Sequence, residues 1–297
     1  MAIEVTPLHP TLGAKVRGVD LTQRVTPEVF AEIDAAFNHY GILVFPEQPV
    51  TDEQQLSFSQ LFGPIEVNPN YAGAKMRLRP DVADISNLDA EGRVLARDDR
   101  RNLFNLGNQL WHTDSSFKHV PAKCSLLSAR EIPMEGGETE FADLRAAWDA
   151  VPERKKRDLE GLVVEHSIFR SRSQIGFVDF NDEIFKELPP VRQALVRHHP
   201  ASGRTSLYLA SHASHIIGLP VEEGRALIEE LIAFATQMQF VHRHRWTVGD
   251  LVMWDNRCTM HRGRPYDDTQ RRVLHRTTVS DIANTLEQEG LAQVSAA

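Results

Sequence analysis

The sequence predicts a mainly β protein with flanking helices (α+β), its core a double-stranded β-helix of the jelly-roll, cupin-like kind. Three observations carry this expectation. Short apolar or alternating runs bounded by Gly, Pro and Asn recur along most of the chain. Runs with helical spacing fall between them and read as an outer layer. Two stretches with metal-binding chemistry, around His112 and around His261, must meet, so strands at both ends of the central region have to close on each other. All 297 residues are therefore expected in one domain, with active-site loops near 64–107 and 170–190.

In chain order, residues 2–20 alternate loosely around Gly13 and Gly18, as short strands joined by turns would. Thr26-Pro27-Glu28 starts a helix with proline in its first turn, and Val29, Ile33 and Phe37 give it an apolar face. Gly41–Pro46 reads as a buried strand. Thr51-Asp52-Glu53-Gln54 fits a capping box opening a helix that ends at Gly63. A loop follows to about Pro80, then a short strand at Val82–Ser86 and a polar segment over 88–107 that could cover a site. Cys124–Ile132 is a core strand, residues 133–138 a turn, and Thr139–Phe141 a strand again. Asp143 can cap a helix through Val151, with a second helix at Pro152–Leu162. Val191–His199 and Arg204–Ala210 read as a hairpin, and Leu219–Gln239 is the most periodic helix, with Leu227, Leu231 and Phe234 on one stripe. Phe240–Thr247 alternates, Leu251–Asp255 and Arg271–Ser280 are strands, and the tail from Asp281 is expected to be loose.

Composition narrows the function. Hydrophobic content of 41% and charged content of 25% belong to an ordinary globular chain. A net charge of −8 argues against nucleic acid as the main partner. No apolar run approaches a membrane span, no signal peptide is visible, and two cysteines suit a reducing compartment, so the cytoplasm is expected.

The chemistry concentrates in Trp111-His112-Thr113-Asp114-Ser115-Ser116-Phe117. On a strand, His112 and Asp114 would point to one side and offer an imidazole and a carboxylate to a common point. His261 is the candidate third corner, since two histidines and one carboxylate make the facial triad of non-haem Fe(II) sites with open positions. The pair alone also fits a surface histidine beside a turn aspartate. Arg272 and Arg276, four apart on an alternating run, can both face the same mouth, and two guanidinium forks suit two anionic small molecules. Thr139 adds a hydroxyl donor. Zinc at the same ligands activating water for hydrolysis would leave Arg272 and Thr139 unexplained, and a non-catalytic binding protein would leave the triad unexplained. Cys258 with His261 suggests half a zinc site but lacks the further ligands. His198, His199, His242 and His244 read as structural or solvated, and Trp254 as core or as a wall beside the metal.

His112-x-Asp114, Gly136-Gly137-Glu138-Thr139, Trp254-Asp255-Asn256-Arg257 through His261-Arg262, and Arg272 together resemble the taurine dioxygenase superfamily of Fe(II)/2-oxoglutarate enzymes. Asn108–His112, Gly203-Arg204, His212-Ala213-Ser214-His215 and Arg243–Trp246 resemble its aryloxyalkanoate (2,4-dichlorophenoxyacetate) branch, and the likeness runs from Pro7 to Thr278. The resemblance implies that His112, Asp114 and His261 bind Fe(II), with 2-oxoglutarate and O2 as co-substrates. It implies that Arg272 and Thr139 hold the distal carboxylate of 2-oxoglutarate and that Arg276 holds the acidic group of the substrate. His212 is a further substrate contact, and Asn108 and Ser116 line the pocket. The expected reaction is hydroxylation of a small organic acid, most simply an aryloxyacetate, with ether cleavage to a phenol and glyoxylate and release of succinate and CO2. A taurine-type sulfonate or another carboxylate is the alternative substrate, and a homo-oligomer is expected.

Overall fold

The computed structural model describes residues 2–67, 76–180 and 182–292. Its largest element is a seven-stranded sheet in the spatial order Glu4–Pro7, Ala14–Arg17, Ile42–Phe45, Leu251–Asp255, Ala122–Glu131, Val273–Ser280, Ala83–Ser86. All neighbours are antiparallel except Ala14–Arg17 with Ile42–Phe45. The strand pairs far apart in sequence bring the two ends of the central region together, as the chemistry required.

Period-two alternation decides what each face of this sheet buries. Leu43, Phe45, Leu126, Leu251 and Met253 point to one side. There they meet Ile33 and Phe37 of the helix Pro27–Tyr40, and Phe58 and Phe62 of the segment that starts with the helix Asp52–Ser59. Ile42, Val44, Leu127, Val252, Trp254 and Leu274 point to the other side, against Phe141 and Trp246. Phe141 belongs to a three-stranded sheet, Val241–His244, Thr139–Asp143 and Thr259–Gly263. The outer face of that sheet, through Ala142 and Met260, packs with Trp148 of the helix Leu144–Ala150 and Ile228 and Leu231 of the helix Val221–Ala235. The layers are thus helix, sheet, sheet, helix, a jelly-roll core in which, among the described residues, no sheet closes into a barrel. Each buried Leu or Phe contributes about 1.5–3 kcal/mol of transfer free energy.

Local signals act as their chemistry requires. Thr26 caps the first helix, accepting from the Val29 amide, and Gly41 ends it at φ 71°, a left-handed turn that suits a residue without Cβ. Thr51 and Gln54 form a reciprocal capping box. Asp143 caps the next helix, accepting from the Arg145 and Ala146 amides.

Several expectations need correction. The segment 88–107 is not bare loop: Asp99 caps a short helix, Arg100–Asn105, that runs into a 3₁₀ turn at Leu106–Gln109. The segment 170–190 is bordered by the helix Ile168–Ser173 and contains the helix Asp182–Glu187. All three helices, of 6 residues each, are too short to show a period in sequence. Of the loop expected from Pro64 to Pro80, residues 68–75 lie outside the described residues. Over its described residues, 281–292, the tail is tied down, because Arg197 pairs with buried Asp281 at 2.8 Å, the Thr285 hydroxyl donates to Gln193 at 2.6 Å, and Leu286 is buried. The strand expected at Phe240–Thr247 pairs only over Val241–His244.

Candidate metal centre and anion cleft

His261 lies in the strand Thr259–Gly263. Its backbone amide and carbonyl exchange hydrogen bonds with those of His112, at 2.8 and 2.9 Å, in an isolated bridge. His112 is therefore not within a strand, and Asp114 is presented by a turn rather than by strand alternation. Ser115 there adopts φ 54°, and its hydroxyl is anchored to Glu66 at 2.8 Å. The outcome matches what a strand would have given, one face for both side chains, by a different backbone route.

The three groups converge. Nε2 of His112 is 3.8 Å from one oxygen of Asp114 and Nε2 of His261 is 3.8 Å from the other. All three side chains are buried, and one ligand atom from each lies within 4.8 Å of the others. Nδ1 of His112 donates to the Leu110 carbonyl at 2.8 Å, which leaves Nε2 as a lone pair facing the carboxylate. Burial pushes both imidazoles down, His261 well below the usual histidine range, so both are neutral at pH 7. Burial pushes Asp114 up, but the Arg276 charge and the Ser125 hydroxyl outweigh it and hold the carboxyl well below its ordinary range. Two neutral imidazoles and an ionised carboxylate, all shielded from water, fit a divalent cation with nitrogen and oxygen preference and open coordination positions.

Asp114 is further fixed by residues to which the sequence assigned no role. Its amide donates to Asn256 Oδ1 at 3.1 Å, and Ser125 Oγ donates to its Oδ2 at 2.7 Å. Asn256 also donates to Ser125 Oγ at 3.0 Å and accepts from Trp254 Nε1 at 3.1 Å. Trp254 is core, and its ring stands 4.7 Å from that of His261. Asn256 lies in a stretch already singled out, yet nothing in its spacing showed that it would reach Asp114.

A cleft of about 190 Å³ opens beside the triad, lined among others by His112, His261, Thr139, Asn108, Arg272 and Arg276. Arg272 is buried, donates through Nη2 to the Gly137 carbonyl at 3.1 Å and lies 5.5 Å from the Tyr266 ring centroid, while its Nε has no partner. Burial lowers its pKa, and no carboxylate offsets that cost. Thr139 Oγ accepts from Trp246 Nε1 at 3.0 Å. Arg276 donates through Nη1 to Asp114 Oδ1 at 2.5 Å, and its buried Nε is unpartnered.

Two expected pocket residues lie elsewhere. Ser116 does not line the cleft, because its hydroxyl is buried between Nδ1 of His212, at 3.1 Å, and Nδ1 of His166, at 3.0 Å. His212 is also outside the cleft lining; its ring meets that of His112 at 6.2 Å and that of Phe117 at 4.8 Å. A second cluster, His199, Asp255 and Cys258, has metal-like composition. Both oxygens of Asp255 are already engaged by Arg257 and one by His199, and burial pushes the Cys258 thiol up to about 12. That cluster is an ion-pair network, in line with the discounted zinc reading. His244 stands 3.2 Å from Asp250, away from the triad.

Comparison with known proteins agrees with this chemistry. A family profile described as taurine catabolism dioxygenase TauD, TfdA family matches residues 4–278. A relative from Cupriavidus pinatubonensis, an alpha-ketoglutarate-dependent 2,4-dichlorophenoxyacetate dioxygenase, is 46% identical over 95% of this chain and 99% of its own length. An (S)-phenoxypropionate/alpha-ketoglutarate-dioxygenase from Sphingobium herbicidovorans is 36% identical over 94% of this chain and 95% of its own. Among solved structures, AAD-2 in complex with Mn(II) and N-oxalylglycine superposes with a TM-score of 0.90 at 47% identity, covering 96% of this chain and 100% of the other.

Proposed function

This chain belongs to the TauD/TfdA family of dioxygenases, and from that premise we propose that it hydroxylates a small aryloxyacetic acid beside the ether oxygen. As a member of the family it is an Fe(II)- and 2-oxoglutarate-dependent enzyme. The observation that carries the substrate reading is the arrangement of one buried His-Asp-His triad with two arginines of unequal pairing in a single cleft.

His112, Asp114 and His261 would hold the metal, and Arg272 with Thr139 would hold the distal carboxylate of 2-oxoglutarate. When bound, Fe(II) with 2-oxoglutarate and O2 supplies an oxidant strong enough to break an aliphatic C–H bond, the keto acid leaving as succinate and CO2. The chain's own part is placement. Arg276 already engages one carboxylate through a single Nη, and its unpartnered Nε leaves donors for the acid group of a substrate. Trp254 and Phe141 stand 4.7 and 6.0 Å from the His261 ring and keep that side free of water. A substrate held by its acid group would present the adjacent methylene. Hydroxylation there gives a hemiacetal, which collapses to a phenol and glyoxylate. Two buried, unpaired cysteines, Cys124 and Cys258, support a reducing, cytoplasmic setting.

The test is O2 uptake with Fe(II) and 2-oxoglutarate, comparing phenoxyacetates, 2-phenoxypropionates, cinnamate-type acids and taurine. Uptake coupled to phenol release from a phenoxyacetate is expected. Uptake with taurine alone would overturn the substrate reading.

A further inference from the structure

Five arginines among the described residues are buried: Arg145, Arg172, Arg197, Arg257 and Arg272. Three have a carboxylate, namely Arg145 with Asp143, Arg197 with Asp281 and Arg257 with Asp255. Arg272 has none and is the group expected to receive the keto acid. Arg172 has none either. Its Nη1 donates to Ser171 Oγ at 3.2 Å, its Nε is buried without a partner, and its guanidinium lies over the Phe104 ring at 4.2 Å. Burial lowers its pKa to about 10, which still leaves it cationic at neutral pH.

A buried charge without a counter-ion costs several kcal/mol, so a fold that keeps one has a use for it. The seat of Arg172 is shaped. A Cβ on Gly107 would stand 2.2 Å from Arg172 Nη1 and 2.5 Å from its Cζ, so the guanidinium can lie there only against bare backbone. Leu106 and Asn108, on either side of Gly107, line the cleft. The guanidinium itself is not among the groups that line the cleft but lies against Gly107, between those two lining residues.

We propose that Arg172 is a further substrate-binding residue, a buried cation that shares the acid group of the organic substrate with Arg276 while Arg272 takes that of the keto acid. The reaction brings two anions to the site, and among the described residues two buried guanidiniums lack carboxylate partners. The inference rests on the reading of the substrate as an organic acid.

The experiment pairs steady-state kinetics with thermal melting for wild type, Arg172→Met, Arg172→Lys and Gly107→Ala, with phenoxyacetate, taurine and 2-oxoglutarate. Arg172→Met should raise the KM for the acid that wild type uses by about 30-fold or more, with the KM for 2-oxoglutarate within about twofold. Arg172→Lys should recover part of the loss, and Gly107→Ala, which displaces the guanidinium but keeps its charge, should raise the same KM. Without ligands, Arg172→Met should melt at or above the wild-type temperature, because it removes an uncompensated buried charge. An unchanged acid KM, a rise confined to the 2-oxoglutarate KM, or a ligand-free variant that melts well below wild type would each overturn the assignment. If wild type turns over neither acid, the substrate reading fails by itself, and the ligand-free melting still decides whether Arg172 is a structural or an uncompensated charge.

Discussion

His112 and His261 donate a backbone hydrogen bond to each other's carbonyl, which ties the two halves of the site through the main chain. The bridge sets their rings 4.1 Å apart, centroid to centroid, and leaves both Nε2 atoms facing Asp114. The frame of the His-Asp-His triad therefore does not depend on either imidazole.

It follows that His112→Ala and His261→Ala should fold, with far-UV circular dichroism close to wild type, yet bind Fe(II) at least about 100-fold more weakly and retain under about 1% of activity. Isothermal titration with Fe(II) under anaerobic conditions checks the first number. A variant that kept tight metal binding would show that the imidazole is not a ligand.

Asn256 holds the amide of Asp114 and shares Ser125 with its carboxylate. Asn256→Ala should weaken Fe(II) binding about 10–100-fold, the usual effect of losing a partner that orients a ligand. Ser125→Ala should do less, because Arg276 still engages the other oxygen. Metal titration of both variants, beside the wild type, gives the ranking.

Acid stability has a definable origin in Asp255. Burial pushes its carboxyl up, but Arg257 and the hydrogen bonds from His199 and Arg257 hold it far below the usual carboxylate range. A carboxyl depressed in the folded state contributes stability above its unfolded value, near 3.8, and loses it as pH falls through the window below. Melting temperature should therefore drop steeply below about pH 4. Asp255→Asn should destabilise by about 3–5 kcal/mol at pH 7, since it leaves the Arg257 charge buried and unpaired, and should flatten that acid limb. Chemical denaturation at pH 7 and pH 3.5 measures both.

What the sequence made legible and what it hid divide along physical lines. Caps, the capping box and the alternating strands depend on neighbours a few residues away, so Thr26, Thr51 and Asp143 could be placed from spacing alone. Residues that act across the sheets could not. Gln55 sits on an ordinary helix face, yet its amide donates to the Leu126 and His275 carbonyls and its oxygen accepts from Ser128. Ser116 shared the central motif and was expected to face the pocket, but it turned inward to join His166 and His212. Their contacts are long-range, and one sequence carries no trace of them.

The Gln55 amide spans two strands of the large sheet, and its loss should be costly. Gln55→Leu removes the 2.7 Å acceptor of the Ser128 hydroxyl and the amide donor shared by the Leu126 and His275 carbonyls, so a loss of about 2–4 kcal/mol is expected with little change in KM for either co-substrate. Urea unfolding beside a kinetic assay separates the two. A large change in KM would mean that the helix Asp52–Ser59 reaches the site.

Arg272 offers the sharpest test of how the cleft receives 2-oxoglutarate. The strand Val273–Ser280 begins just after it, and its backbone amide donates to Asn87 Oδ1 at 2.9 Å, which fixes where the side chain emerges. The guanidinium then runs beside Gly137, whose missing side chain makes room, since a Cβ there would lie 3.0 Å from Arg272 Nε. Arg272→Met should raise the KM for 2-oxoglutarate about 100-fold, because a bidentate, charge-assisted pair in a buried site is lost. Thr139→Val should raise it less, about 3–10-fold, since a neutral hydroxyl contributes about 0.5–1.5 kcal/mol. Gly137→Ala should behave like a mild Arg272 variant, with strain added by a φ of 70°. O2 uptake at varied 2-oxoglutarate, with the organic acid saturating, gives all three values; an Arg272→Met enzyme with an unaltered 2-oxoglutarate KM would move the keto-acid site away from this arginine.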